Sequence, residues 1–175
     1  MKHELVALVL VLLFLAVASA QEEKVFEPEY FSVFYYLGVS GHGIELERQI
    51  PNQILKGDKF LLTIPSEKSP VRFNADSKMQ FIVRVTEDFD KATATMQLMR
   101  FDVHDGMRQL SVKKPAKNGG FGTGLKLNAA KYGSSSIKLT PSQEMLPGEY
   151  CLSRTTIRQG FCFGIDATGT HQMPQ

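Results

Sequence analysis

The chain of 175 residues has no tryptophan, only two cysteines and a surplus of just two basic over acidic side chains. Lacking tryptophan, it cannot carry the ring that packs on the inter-sheet disulfide of antibody domains. Two cysteines permit one disulfide and no disulfide framework. Twenty Lys+Arg against 18 Asp+Glu supply no excess for neutralising phosphates, so a nucleic-acid or strongly anionic partner is not expected. No stretch of eleven or more residues after position 20 carries an i, i+3, i+4, i+7 apolar stripe, which excludes long amphipathic helices and coiled coils. Nothing after that position is apolar for long enough to span a bilayer.

What is present begins with a targeting signal. Lys2 precedes an unbroken apolar run from Leu5 to Val17, and Ala18-Ser19-Ala20 has the small-x-small form that signal peptidase accepts. Residues 1–20 therefore read as a signal peptide, with the mature chain starting at Gln21. The run is short for an anchor and no basic residues follow it. Cleavage removes Lys2 and Glu4 and leaves the surplus at +2. A soluble exported protein without a transmembrane segment is expected.

Apolar residues beyond the signal alternate with period two, the pattern of half-buried strands. Tyr30 to Leu37 reads as a first strand, Gly41-His42-Gly43 as a turn, and Ile44 to Glu47 as an exposed return strand, together an N-terminal hairpin. Glu45 and Glu47, with Arg48 beside them, read as a solvated edge. Pro51 to Asp58 reads as a break. Phe60, Leu62 and Ile64 share one face of a strand ended by Pro65, Ser69-Pro70-Val71-Arg72-Phe73 is a short extended piece that its proline confines to an edge or a strand start, and Phe81, Val83 and Val85 mark a central strand. Taking Asp105-Gly106 as a hairpin turn sets Phe101 opposite Leu110 and Met99 opposite Val112. Lys113 to Gly124 is a glycine-rich basic loop, followed by Leu125-Lys126-Leu127 and then Ser136 to Thr140 as further short strands.

Residues 141–166 carry the last hairpin. With Thr155 to Arg158 as its loop, Tyr150 faces Phe163, Leu152 faces Phe161 and Cys151 faces Cys162. Opposed residues on antiparallel strands lie about 4.5–5.5 Å apart at Cα, within the reach of a disulfide. Export favours oxidation, so a Cys151–Cys162 bridge pinning this hairpin is expected.

Leu146-Pro147-Gly148-Glu149-Tyr150 resembles the tyrosine corner of immunoglobulin-like and fibronectin III-like sandwiches. The resemblance covers about the last third of the chain and implies that the Tyr150 hydroxyl bonds to the backbone a few residues upstream. It departs from antibody domains in that Cys151 follows Tyr150 directly, so a core disulfide between sheets is not implied. More loosely, the early Tyr-Tyr-Leu, the Ser-Pro-Val-Arg-Phe piece and the closing Phe-Cys-Phe-Gly-Ile-Asp resemble small exported β-rich bacterial proteins with no assigned activity. That resemblance implies a periplasmic or cell-surface location and no reaction.

The expected fold is an all-β, immunoglobulin-like antiparallel sandwich over residues 55–168. Residues 21–54 form a hairpin segment that packs against it or lends it strands, and residues 169–175 form a tail. His42, His104 and His171 stand in no metal-ligand spacing and read as turn and tail residues. Ser134-Ser135-Ser136 reads as a hydrogen-bonding turn, and Gly119 to Gly124 lacks the Lys-Ser/Thr of a phosphate loop. No catalytic, cofactor or metal residue is named. Tyr30, Phe31 and Tyr35, with Lys113, Lys114 and Lys117, make a candidate binding face for an unidentified protein or glycan of the cell envelope. The expectation is a non-catalytic binding or structural module of the bacterial envelope. Its rival is a small secreted hydrolase, or a hydrolase inhibitor presenting Lys113 to Gly124 or Thr155 to Gln159.

Overall fold

The computed structural model describes residues 25–113, 124–155 and 158–168. The signal-peptide reading falls on residues outside these. Strand-forming sequence dominates, and the chain builds two antiparallel layers. The first layer has five strands in the order β10 (Leu127–Tyr132), β11 (Ser136–Pro141), β7 (Phe81–Arg84), β1 (Phe34–Leu37) and β2 (Gly43–Glu45). The second runs β3 (Glu47–Gln49), β13 (Gly160–Asp166), β12 (Gly148–Arg154), β8 (Met96–His104), β9 (Met107–Lys113), β5 (Lys59–Pro65) and β4 (Asn52–Lys56). A short parallel strand, β6 (Arg72–Asn74), shares the edge of β13 with β3. The one helix among the described residues, α1 (Phe89–Thr93), buries Ala92 in the core and was not legible as a periodic stripe.

The second layer is rolled. Its order begins with β3 and ends with β4, which are consecutive in the chain and separated only by Ile50 and Pro51. Strand β8 makes the bend, because its first part (Met96–Phe101) pairs with β12 and its last part (Asp102–His104) with β9. As a result β12 and β13 are buried on both faces. Between the layers Phe34, Tyr36, Phe81, Val83, Leu98, Ile137, Leu139, Tyr150, Leu152, Phe161 and Phe163 form the main core. Inside the roll Leu62, Ile64, Met99, Phe101, Val112, Cys151 and Cys162 form a second.

Both hairpins keep the expected register at their turns, but the β8–β9 ladder spans only Asp102 to His104, so Phe101 and Met99 pair with Glu149 and Cys151 of β12 and not with Leu110 and Val112. Cys151 pairs with Cys162 and Tyr150 with Phe163, while Asp102, Val103 and His104 pair with Gln109, Arg108 and Met107 around Asp105-Gly106. Both turn residues have positive φ, 51° and 74°, as a type I′ turn requires. Strands β1 and β2 lie in the first layer and β3 and β4 in the second, so this part of the chain contributes to both.

Three local readings need correction. The first strand begins at Phe34, not Tyr30, because Ser32 takes a positive φ of 59° and breaks the extended run. Ile44 to Glu47 is not one exposed strand: the chain changes layers at the buried Leu46. Pro51 to Asp58 is not a break, for Asn52–Lys56 is β4. All five of its residues are exposed, so no alternation betrays it.

Candidate functional site

The last hairpin is held by a disulfide within its register and by a tyrosine bond at its entry. Cys151 and Cys162 form a disulfide with Cα atoms 4.0 Å apart, inside the rolled layer and shut from solvent. The Tyr150 hydroxyl donates to the Leu146 carbonyl at 2.6 Å, across Pro147 and Gly148. Burial pushes the Tyr150 phenol above its ordinary range, so it stays a donor. The Arg100 guanidinium lies 6.0 Å from the Tyr150 ring centroid and donates to Pro147 O at 3.1 Å.

Beside this hairpin runs a chain of alternating charges that the strand pattern did not suggest. Arg108, fully buried, donates through Nη1 to Glu47 Oε2 at 2.8 Å and through Nη2 to Glu47 Oε1 at 3.1 Å. Its Nε reaches Ser66 O at 3.3 Å, and its Nη1 lies 4.0 Å from Glu149. Glu149 accepts from Arg72 at 2.7 Å and from the Ser69 amide at 2.9 Å. Arg72 then forks onto Asp166 at 2.6–3.0 Å, crossing Gly164, where any β-carbon would collide with the guanidinium. Burial opposes ionisation of Glu47, but the hydrogen bonds from Arg108 and Gln49 outweigh it and hold the carboxyl below the usual range. Hydrogen bonds from Arg72 lower Asp166 likewise. Every carboxylate oxygen in this chain already accepts a bond from a side chain or an amide. The arrangement is thus a clamp joining β3, β6, β9, β12 and β13, with no free base. Glu47 is thereby corrected from a solvated edge residue to an interior one, because the layer change at Leu46 turns it inward. Glu45 stays outside, paired with Arg48 at 2.6 Å.

The described residues of the expected binding face do not converge. Tyr30 and Phe31 are exposed, Phe31 lying 4.7 Å from the Arg84 guanidinium carbon. Tyr35 sits beneath Phe26, with ring centroids 5.6 Å apart, and its hydroxyl donates to Glu45 at 3.2 Å. The N-terminal segment straps the outer face of the first layer. Phe26 packs where Gly43 has no side chain, and the Glu27 carboxylate accepts from the Ser134 amide (2.8 Å), the Ser134 hydroxyl (2.7 Å) and the Ser135 amide (3.0 Å). Those bonds, the Ser135 amide foremost, lower the Glu27 carboxyl below its usual range. Gly133, at φ 58°, leaves the space the carboxylate occupies. Lys113 lies in the other layer, on β9, while Lys114 and Lys117 fall outside the described residues, as does most of the Lys113 to Gly124 loop.

Among the described residues no group of three or more His, Cys, Asp and Glu could hold a metal ion. His42 sits in the β1–β2 turn and His104 beside the β8–β9 turn; His171 is outside the described residues. The hollow against the disulfide, lined by Leu62, Met99, Phe101 and Cys151, measures about 40 Å³, room for a water molecule and no more than that class of guest.

The exposed feature that stands out is β4. Among the described residues it pairs with β5 alone. Its hairpin closes through Gly57-Asp58, with Gly57 at φ 63°, the first-position glycine of a type II′ turn. Lys56 and Lys59 flank that two-residue loop and so exchange both backbone hydrogen bonds. Alternation directs Ile54 and Asn52 to β5 as well, and leaves the N–H and C=O groups of Gln53 and Leu55 facing outward. Ile50, Ile54 and Leu55 are 72%, 50% and 55% exposed along this edge. No family model, curated protein or solved structure matches the chain.

Proposed function

We propose that the protein is an exported, non-catalytic binding module of the bacterial cell envelope, of immunoglobulin-like or fibronectin III-like architecture, that takes an extended segment of a partner protein onto β4. Support for export comes from the apolar run ending in Ala18-Ser19-Ala20 and from the buried disulfide, which suits an oxidising compartment. Support for the architecture comes from the Tyr150 hydroxyl bond to Leu146. The observation that carries the binding role is the open edge of β4. An edge strand whose backbone groups face solvent is a template for strand addition, and natural proteins ordinarily shorten, cover or bulge it. Here it is five residues long, with Ile54 and Leu55 exposed along it and Ile50 exposed just before it.

The test uses Leu55→Pro. The Leu55 amide faces away from β5, so proline removes a docking donor without removing a bond of the fold. The immobilised exported protein is expected to retain a partner from an envelope extract that the variant loses, with unfolding unchanged within about 1 kcal/mol. A partner held equally by both would overturn β4 as the site, and no protein partner at all would overturn the reading.

A further inference from the structure

We propose that the tip of the β4–β5 hairpin and the outer face of β4, β5 and β9 dock on an anionic lipid leaflet. The registers place Lys56 opposite Lys59 and Lys59 opposite Lys113, so these lysines form one row across three strands on one face. All are exposed, and no ion pair neutralises them among the described residues. Like charges directly opposed on neighbouring strands destabilise a sheet, so the row is a local cost that an external anion would relieve. The acidic groups nearby are Asp58, in the turn between Lys56 and Lys59, and Asp102, further along the same face opposite Gln109. The net charge of +2 conceals this row because acidic residues elsewhere in the chain cancel it, and Lys113 lies far from Lys56 and Lys59 in sequence.

A second observation selects a bilayer over a soluble polyanion. Immediately behind the lysines on the same face, half-exposed Ile54 pairs with Leu61, and Leu55 is exposed at the other side of the tip. Lysines backed by exposed aliphatics match an interface of anionic headgroups over hydrocarbon. A soluble anionic polymer would engage the lysines and leave Ile54 and Leu55 unused. This inference does not rest on strand addition, since it uses side chains at the tip and not the backbone edge.

The test is vesicle sedimentation with the protein purified after export from an expressing host. Phosphatidylcholine vesicles are compared with mixed phosphatidylcholine–phosphatidylglycerol vesicles. Binding is expected only to the mixed vesicles, weakening as salt shortens the Debye length. Replacing all three lysines by glutamine (K56Q, K59Q, K113Q) should lower partitioning on the order of a hundredfold, with the melting temperature no lower than that of the parent. The pair I54S and L55S should lower it several-fold. Absence of binding to mixed vesicles, or lysine variants that bind like the parent, would overturn the proposal. Unchanged vesicle binding by I54S and L55S would overturn the bilayer assignment and leave a polyanion site.

Discussion

Arg108 is the most demanding residue in the clamp. Its side chain is wholly buried and its partner Glu47 is 12% exposed, so the pair has little water to screen it. Removing one charge leaves the other buried without its counter-ion, which costs about 3–5 kcal/mol. Arg108→Met should fall in that range. The methionine fills the volume, but Glu47 loses both of its arginine bonds and keeps only neutral partners, Gln49 at 2.6 Å and the Ser69 side chain. Glu149 keeps Arg72 and the Ser69 amide and should contribute little to the loss. With an m-value of about 2 kcal/mol/M in urea, the unfolding midpoint would drop by about 2 M. Glu47→Leu alone should be costly for the mirror reason, since the guanidinium keeps its bonds to Ser66 but has Glu149, at 4.0 Å, as its one remaining counter-ion among the described residues. The double variant should be far less damaged than the sum, because replacing a buried pair by apolar residues is often close to neutral. A coupling of at least about 2 kcal/mol is expected from the cycle. An Arg108→Met loss under about 0.5 kcal/mol, or strictly additive singles, would refute the view that this pair clamps β3 to β9.

Three further outcomes follow from the same contacts. Tyr150→Phe removes the 2.6 Å bond to Leu146 and should cost about 0.5–1.5 kcal/mol; unchanged stability would argue against the corner. The denatured, unreduced protein should titrate no free thiol, and Cys151→Ala with Cys162→Ala should cost about 2–3 kcal/mol, as the cysteines are 11 residues apart and buried. The carboxyls of Glu27, Glu47 and Asp166 lie below their unfolded values of 4.5, 4.5 and 3.8. A depressed folded pKa gives stability that is complete above the unfolded pKa and lost as pH falls through the folded one. Melting temperature should therefore hold from neutrality to about pH 5 and fall steadily below about pH 4.5; a curve flat into stronger acid would contradict those carboxylate bonds.

The parts of the fold that the sequence revealed are those where turn chemistry and period two coincide. Asp105-Gly106 and the residues around Thr155 each set a register, and the cysteine pairing followed from the second. What stayed hidden traces to the rolling of the second layer. Period-two reasoning assigns one face of a strand to water, yet both faces of β12 and β13 are buried. Glu149 stands in phase with Cys151, and Arg108 in phase with Leu110 and Val112; each is a charged residue on an interior face, and that phase was the available signal. Strand β4 was invisible for the opposite reason, because an edge with every side chain exposed shows no alternation. The lysine row could not be read without the β5–β9 register, since no motif joins Lys59 to Lys113.

Amide hydrogen exchange at β4 tests the central claim most directly. In the free protein the Ile54 and Lys56 amides, turned toward β5, should exchange slowly and those of Gln53 and Leu55 fast. On addition of the partner retained by the parent and lost by Leu55→Pro, the Gln53 and Leu55 amides should slow. Their exchange left unchanged by a bound partner would contradict strand addition at this edge.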